Sequence, residues 1–393
     1  LIAAATLLLF AMGCNEKRPT PAKTTETDTS KGKESTKKAD KMTKESKDIP
    51  KRIENAFKPQ VAGSFYTGNP KQLREEVSSF LNAAELNPEL KERDLVGVLS
   101  PHAGYMYSGP VAGYAYKAAM QGDYRTVVVM ALSHSRPATK AAVLNRPAYD
   151  TPLGSLKIDG DVVRTLISEH GDVFSGNEAV FKGEHSLEVQ LPFLQVAMPD
   201  ADIVPIIVAV HDDEIVKKAG IALFKTLGGR GDVLFVLSSA LSHFFPYDEA
   251  MELDTNLLKL LEEWKLEKWN EAASRRSKGM CGHRPIQAFA SFFENYDRAK
   301  RKVTRLAYLN SGDTAGDKSR VVGYGALAFS LEKGVRMETG GKDFGPFEVE
   351  HRRYLMEIAK KAVTAAANGE EFRPDEPAAK LLSDKGAAFV TLK

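Results

Sequence analysis

Six short runs of aliphatic and β-branched residues constrain this 393-residue chain more than any other feature in it. They cover residues 95–99, 126–132, 203–208, 233–237, 303–309 and 321–331. Each is nearly unbroken by polar residues, and a strand that lacks apolar–polar alternation is one covered on both faces. Between the runs, helical patterns occupy residues 212–227, 249–265 and 286–296. Strands buried on two faces and interleaved with helices predict a layered α/β/α domain. No internal repeat is visible.

The segments just after three of the strands are polar. The first run leads into Ser100-Pro101-His102-Ala103-Gly104-Tyr105, the second into Ser133-His134-Ser135, and the fourth into Ser238-Ser239-Ala240-Leu241-Ser242-His243. Ligands of open α/β sheets bind in the crevice beyond the carboxyl ends of the strands. Any one of these histidines alone reads as a turn or capping residue. Three of the eight in the chain falling at strand ends together predict a site.

Cys281-Gly282-His283-Arg284-Pro285-Ile286 adds a thiol. Pro285 marks a helix start, so Cys281 stands just before an N-terminus, where the helix dipole favours a thiolate. Two imidazoles and a thiolate make a metal set for Fe, Cu or Zn, with positions left open for water, substrate or dioxygen. The plainer reading is a small buried apolar residue. The segment from Glu184 to Pro192 is a second polar cluster, in which His185 suits acid/base or clamping work while Ser186 and Glu188 suit helix caps. Asn310-Ser311-Gly312-Asp313 with Gly316-Asp317 reads as a structural turn. There is no G-x-x-x-x-G-K-[ST], no G-x-S-x-G and no H-E-x-x-H.

The two ends differ from this middle. Leu1 to Gly13 carry no charge and meet Cys14. That stretch is shorter than the roughly 20 residues of a membrane span but suits the apolar region of a secretory signal. Phe10-Ala11-Met12-Gly13-Cys14 resembles a lipoprotein box, with Ala11 where leucine is usual, so residues 1–14 are expected to be a signal peptide ending on an acylated cysteine. The lack of an initiating Met and a basic region predicts a truncated start. Residues 15–54 follow as a polar tether, since too little apolar surface is available to offset ordering entropy. Residues 15–52 hold 12 Lys/Arg against 7 Asp/Glu, so the basic charge belongs to the tether and the remainder is net acidic. An acidic fold lacks the basic face that nucleic acid requires. These features predict an extracytoplasmic protein, lipid-anchored to a bacterial membrane. With Cys14 acylated, Cys281 is the other of just two cysteines, a lone thiol that burial or metal ligation would protect. At the other end, residues 345–393 read as a second α+β unit: a helical pattern through Tyr354, Leu355, Ile358 and Val363, then a terminal apolar run expected to be cut off in mid-sheet.

Taken together, Val61-Ala62-Gly63-Ser64-Phe65-Tyr66, Pro101-His102-Ala103-Gly104-Tyr105, Tyr107-Ser108-Gly109-Pro110, Glu184–Pro192, Ser238–His243, Cys281–Ile286 and Asn310–Asp317 resemble the Memo family, in the family's order. The resemblance implies that residues 55–335 form a Memo domain related in fold to the class III extradiol dioxygenases, which use non-haem iron. It implies that His102, His134 and Cys281 bind the metal, a single Fe or Cu ion, with His185 and His243 lining the pocket as catalytic residues. Residues 345–393 resemble the start of an AMMECR1 domain. That pairing implies the AmmeMemoRadiSam system, with AMMECR1 in cis and a radical SAM protein as partner. One departure stands out. The family usually reads Ser-Ser-Asp where this chain has Ser238-Ser239-Ala240, so a carboxylate that could ligate or orient is missing.

Three functions are expected on these grounds. The first is a metal-dependent redox protein or dioxygenase-like oxidoreductase, with the thiolate softening metal preference towards copper. The second is a non-catalytic peptide or small-molecule binding protein that uses the same cleft. The third is a Zn-dependent hydrolase, for which Glu184 or Glu188 would have to supply the general base.

Overall fold

The structure is a computed structural model and describes residues 52–334. The expected signal peptide with Cys14, residues 15–51 of the tether and the 345–393 segment lie outside the described residues.

The core is a mixed sheet. In chain order its strands are β1 (Arg93–Ser100), β2 (Thr126–Ala131), β3 (Ala141–Val143), β6 (Phe174–Ser175), β7 (Asp202–Ile207), β8 (Val233–Ser238), β9 (His243–Phe245), β10 (Arg301–Asn310) and β11 (Val321–Glu332); β4 (Ala148–Thr151) and β5 (Gly154–Lys157) make a separate hairpin. Across the sheet the order is β10-β11-β1-β8-β2-β7-β3-β6, with β9 attached to β11. The central four, β1, β8, β2 and β7, are parallel, whereas β11 is antiparallel to β1 and β10 to β11. All of β2 and β8 is buried, as unbroken apolar runs require.

All six expected strands form, with bounds shifted by a residue or two. One expectation fails in character. The apolar run at residues 303–309 predicts burial on both faces, but β10 is half-exposed along most of its length because it is the sheet's outer strand. The three expected helices appear as α5 (Asp213–Leu227), α6 (Tyr247–Glu262) and α8 (His283–Phe293). The others are α1 (Pro70–Ala83), α2 (Tyr105–Ala119), α3 (Gly160–Glu169), α4 (Leu191–Ala197), α7 (Leu266–Ala273) and the short α9 (Ser311–Ala315). Helices α1, α2 and α4 pack on one another, with α2 lying on β1, β10 and β11; α5 to α8 form a second group held by the α5–α8 contact. The architecture is a mixed α/β fold, one large mixed sheet with helices packed against it.

Helix α2 hides its helical character. It is buried almost all round, so it has no amphipathic stripe, and it carries Gly109, Pro110 and Gly113. The glycines are there for closeness: a Cβ on Gly113 would lie 2.5 Å from the Phe80 carbonyl oxygen of α1. The Asn310 turn is structural, as expected. Asn310 and Asp313 form a capping box on α9, which ends at Gly316 with φ of +89°.

Candidate metal centre

The strand ends converge as the sheet order demands. β8 lies between β1 and β2, so His102 after β1, His134 after β2 and Ser238 at the end of β8 meet at one edge. The ligand nitrogens of His102, His134 and His185 all lie within 4.8 Å of one another. Cys281, immediately before the Gly282 cap of α8, places Sγ 3.2 Å from His102 Nε2. His243, on β9, is half-buried beside this group and feels the charge of Cys281. All five residues picked out in the sequence are therefore brought to one place. His185, expected as a pocket-lining residue, stands inside the imidazole cluster itself.

Hydrogen bonds fix which atom each ring presents. Ser238 Oγ donates its single proton to the Ser186 carbonyl at 2.6 Å, and it accepts from Gln190 Nε2 at 2.8 Å. Towards His102 Nδ1, at 2.8 Å, it can only accept, so Nδ1 carries a proton and Nε2 faces Cys281. Gln190 is oriented in turn by the Tyr116 hydroxyl, which donates to its Oε1 at 2.8 Å. His134 donates from Nδ1 to Glu184 Oε1 at 2.9 Å and from its backbone amide to Glu184 Oε2 at 2.6 Å; the Ser186 amide also donates to Oε1, at 2.8 Å. His185 is held by rings instead. It stacks on His134 with centroids 4.5 Å apart and on Phe65 at 4.3 Å.

The electrostatics separate the roles. Burial works against the charged form of Glu184, but His134 and the two amides outweigh it and hold the carboxyl down at about 2. Burial favours neutral His134, yet the neighbouring Cys281 and the hydrogen-bonded Glu184 raise it to about 10. Burial, reinforced by His102 and His134, lowers His185 to about 3, so that ring is neutral. Burial alone would push the Cys281 thiol up; the adjoining imidazoles hold it well below the ordinary thiol range, and the Ala240 amide donates to Sγ at 3.2 Å. The imidazoles therefore favour the thiolate form of Cys281, as a metal ligand requires.

Neither suggested cap is a cap. Ser186 Oγ donates to the Leu132 carbonyl at 2.6 Å. Glu188 accepts from the amides of Gln60 (2.5 Å) and Val61 (2.9 Å) and from the hydroxyls of Tyr66 (2.7 Å) and Tyr149 (3.1 Å). That engagement also removes Glu188 as a general base, and Glu184 is fully occupied in orienting His134, so the zinc-hydrolase reading loses both of its carboxylates. Sequence reasoning did not single out Phe65, Ser238 or Gln190. Their signal was present only as polar or aromatic residues inside the matched blocks, because roles set by partners more than 40 residues away carry no local pattern.

The donor set fits a metal ion. Cys281 Sγ and His102 Nε2, 3.2 Å apart, share a cation between them, which a proton or a metal can supply. Each ligating ring also has its second nitrogen tied to a fixed partner, Ser238 or Glu184, the outer support that metal-binding histidines require.

Residues 58–328 match the family described as Memo-like protein. Among curated proteins, the chain is 33% identical over 280 residues to a MEMO1 family protein of Methanopyrus kandleri, covering 69% of this chain and 98% of the relative. It is 34% identical over 283 residues to one from Ignicoccus hospitalis, covering 70% and 98%. Among solved structures, an uncharacterized protein from Escherichia coli K12 aligns over 60% of this chain and 99% of its own, with 12% identity and a TM-score of 0.40. That likeness is too slight to carry an argument.

Proposed function

The chain belongs to the Memo-like family, and from that premise we propose a redox protein in which His102, His134 and Cys281 hold a single Fe or Cu ion. The observation that carries this reading is the His102–Cys281 pair, two ligand atoms 3.2 Å apart with the His102 proton committed to Ser238. Bound there, iron or copper would supply one-electron chemistry, and the soft thiolate favours copper. The residues around the centre divide the remaining tasks. Glu184 and Ser238 keep the Nδ1 protons in place so that the Nε2 atoms face inward. Neutral His185 offers a proton acceptor beside them, held flat between Phe65 and His134. His243 lies close enough to feel the charge of Cys281, His102 and His134. The relation to class III extradiol dioxygenases belongs to this proposal and rests on the sequence resemblance.

Elemental analysis of the protein beside a His102→Ala/Cys281→Ser double variant tests the reading. About one Fe or Cu per chain in the parent and none in the variant is expected. No metal in either after anaerobic reconstitution would move a second reading forward, that of a metal-free binding cleft. One observation favours that alternative: at position 240 an alanine, contributing a backbone amide to Cys281, stands where the family usually has a carboxylate.

We also propose that this domain is carried outside the cytoplasm on a lipid attached to Cys14, on the strength of the apolar stretch before it and the polar tether after it. Mass spectrometry of the membrane-extracted protein should find diacylglycerol on Cys14, and an unmodified thiol there would refute the anchor. The AMMECR1 resemblance of residues 345–393 extends the proposal to a radical SAM protein as partner, to be sought by co-purification.

A further inference from the structure

His243 is followed by a residue in a conformation that its side chain opposes. In the β9–β11 pairing, Phe245 stands opposite Val321 and His243 opposite Val322, so Phe244 is the extra residue of a bulge. Its φ is +66°, in the left-handed region that glycine enters freely and a bulky aromatic residue does not. Such a conformation persists only where the neighbours over-determine it. Here the His243 amide donates to the Ser277 carbonyl at 2.8 Å and the Ser242 amide to buried Asp254 at 2.8 Å. The Gly323 amide donates to the Ser242 carbonyl at 3.0 Å, and the Tyr247 amide to the Lys318 carbonyl at 3.1 Å.

That scaffold holds Phe244 outward. The side chain is 58% exposed, its ring lies at 64° to the His243 ring with centroids 6.0 Å apart, and the Arg320 guanidinium sits 5.2 Å from its centroid. Bulges beside sites re-aim side chains in this way. The flanking surface is cationic: Lys318 lies 4.1 Å over Tyr247 and Lys278 5.5 Å over Phe245. Among the described residues, Arg320 and Lys318 form no ion pair. Lys278 lies 3.8 Å from Glu249, and the nearby Asp313 and Asp317 accept hydrogen bonds from Tyr247 and Ser319. A single exposed ring next to a site histidine is too small to dock a protein, and it is the right size for a small planar ligand.

We infer that Phe244 and Arg320 form the recognition platform of the site, stacking a small aromatic acid on the exposed ring and pairing its carboxylate with the guanidinium. The inference rests on the reading of the His102–Cys281 cleft as a ligand site and adds the class of ligand.

Isothermal titration calorimetry of the full chain with 2-naphthoate tests it, with 2-naphthalenemethanol and cyclohexanecarboxylate as controls and metal content measured on every sample. 2-Naphthoate is expected to bind at least about tenfold more tightly than either control. Phe244→Gly should weaken it about tenfold while raising Tm by a few degrees, because the strained position relaxes. Arg320→Gln should weaken it similarly with Tm unchanged. Equal binding of all three compounds, no binding of 2-naphthoate, or no effect of either substitution would overturn the platform. A fall in Tm for Phe244→Gly would overturn the strain argument beneath it. Phe244-dependent capture by vesicles of phosphatidylglycerol with no response to 2-naphthoate would overturn the platform itself and make the ring a membrane contact. Metal content separates the two readings: 2-naphthoate binding without metal keeps the platform and refutes the redox centre, and metal without 2-naphthoate binding does the reverse.

Discussion

Glu184 and Glu188 stand four residues apart in one segment, both are buried, and neither pairs with a lysine or arginine among the described residues. Their donors differ. Glu184 takes two bonds from His134, ring and amide, and one from the Ser186 amide. Glu188 takes two from amides and two from tyrosine hydroxyls, and burial together with the carboxylate pushes both phenols far above their ordinary range. A carboxylate that meets a titratable imidazole of the proposed metal set is part of the chemistry. One that meets groups which keep their protons at every accessible pH is part of the framework. Glu188 still reaches the site indirectly: it fastens residues 60–66, and Phe65 in that loop is the ring stacked on His185.

The largest expected effect breaks the framework side of this contrast. Glu188→Ala leaves two amides and two hydroxyls without their acceptor in a buried place, at a cost of about 3 kcal/mol or more. A Tm roughly 10 °C below the parent is expected by calorimetry. A fall of only a degree or two would mean that water replaces the carboxylate and that the loop is not fastened by it.

Next in size comes a third buried carboxyl, which sharpens the comparison because it titrates without touching an imidazole. Asp254 is fully buried and accepts from the Ser242 amide at 2.8 Å and the Tyr308 hydroxyl at 2.9 Å, and burial, outweighing these bonds, raises it from 3.8 to about 6. Because the folded value lies above the unfolded one, its contribution to stability is complete below about pH 3.8 and is lost as the pH rises through about 6. Asp254→Asn removes that penalty, so the variant should gain on the parent by up to about 3 kcal/mol between pH 4 and pH 7.5. A stability difference that stays constant across that range would show that Asp254 is ionised throughout.

The smallest effect tests the chemical side. Glu184→Gln keeps the shape but removes the charge that orients His134 and raises its basicity. Metal affinity measured by chelator competition should fall about 10- to 100-fold, with a smaller loss of Tm than Glu188→Ala. If both substitutions lowered Tm equally and left metal affinity alike, the distinction between the two carboxylates would fail.

Much of this was legible in the sequence, and the reasons are local. Strands β2 and β8 announce themselves because full burial leaves no place for a polar residue, and His102, His134 and Cys281 stand out as titratable groups at strand or helix ends. The short strands β3 and β6, with three and two residues, are below the length at which a period can be read. Helix α2 was hidden by the glycines that let α1 approach it. The outer supports of the site were hidden for a different reason. Ser238 and Gln190 are ordinary residues until the fold sets them 2.8 Å apart across 48 positions of sequence, and the strain at Phe244 exists only in the folded backbone.

The strand order has one further consequence, for how such a site comes into being. β1 and β2 are consecutive in the chain yet never pair; the slot between them is filled by β8, which is synthesised about a hundred residues later. The thiol that meets His102 is 179 positions away from it. Closing contacts of that span is slow, and it cannot precede completion of the central sheet. During synthesis the two imidazole segments are therefore unable to form the centre by themselves. Under the proposed reading, ion capture would be a late step that waits for the last central strand and for Cys281, so an occupied centre would report that the topology around it is complete.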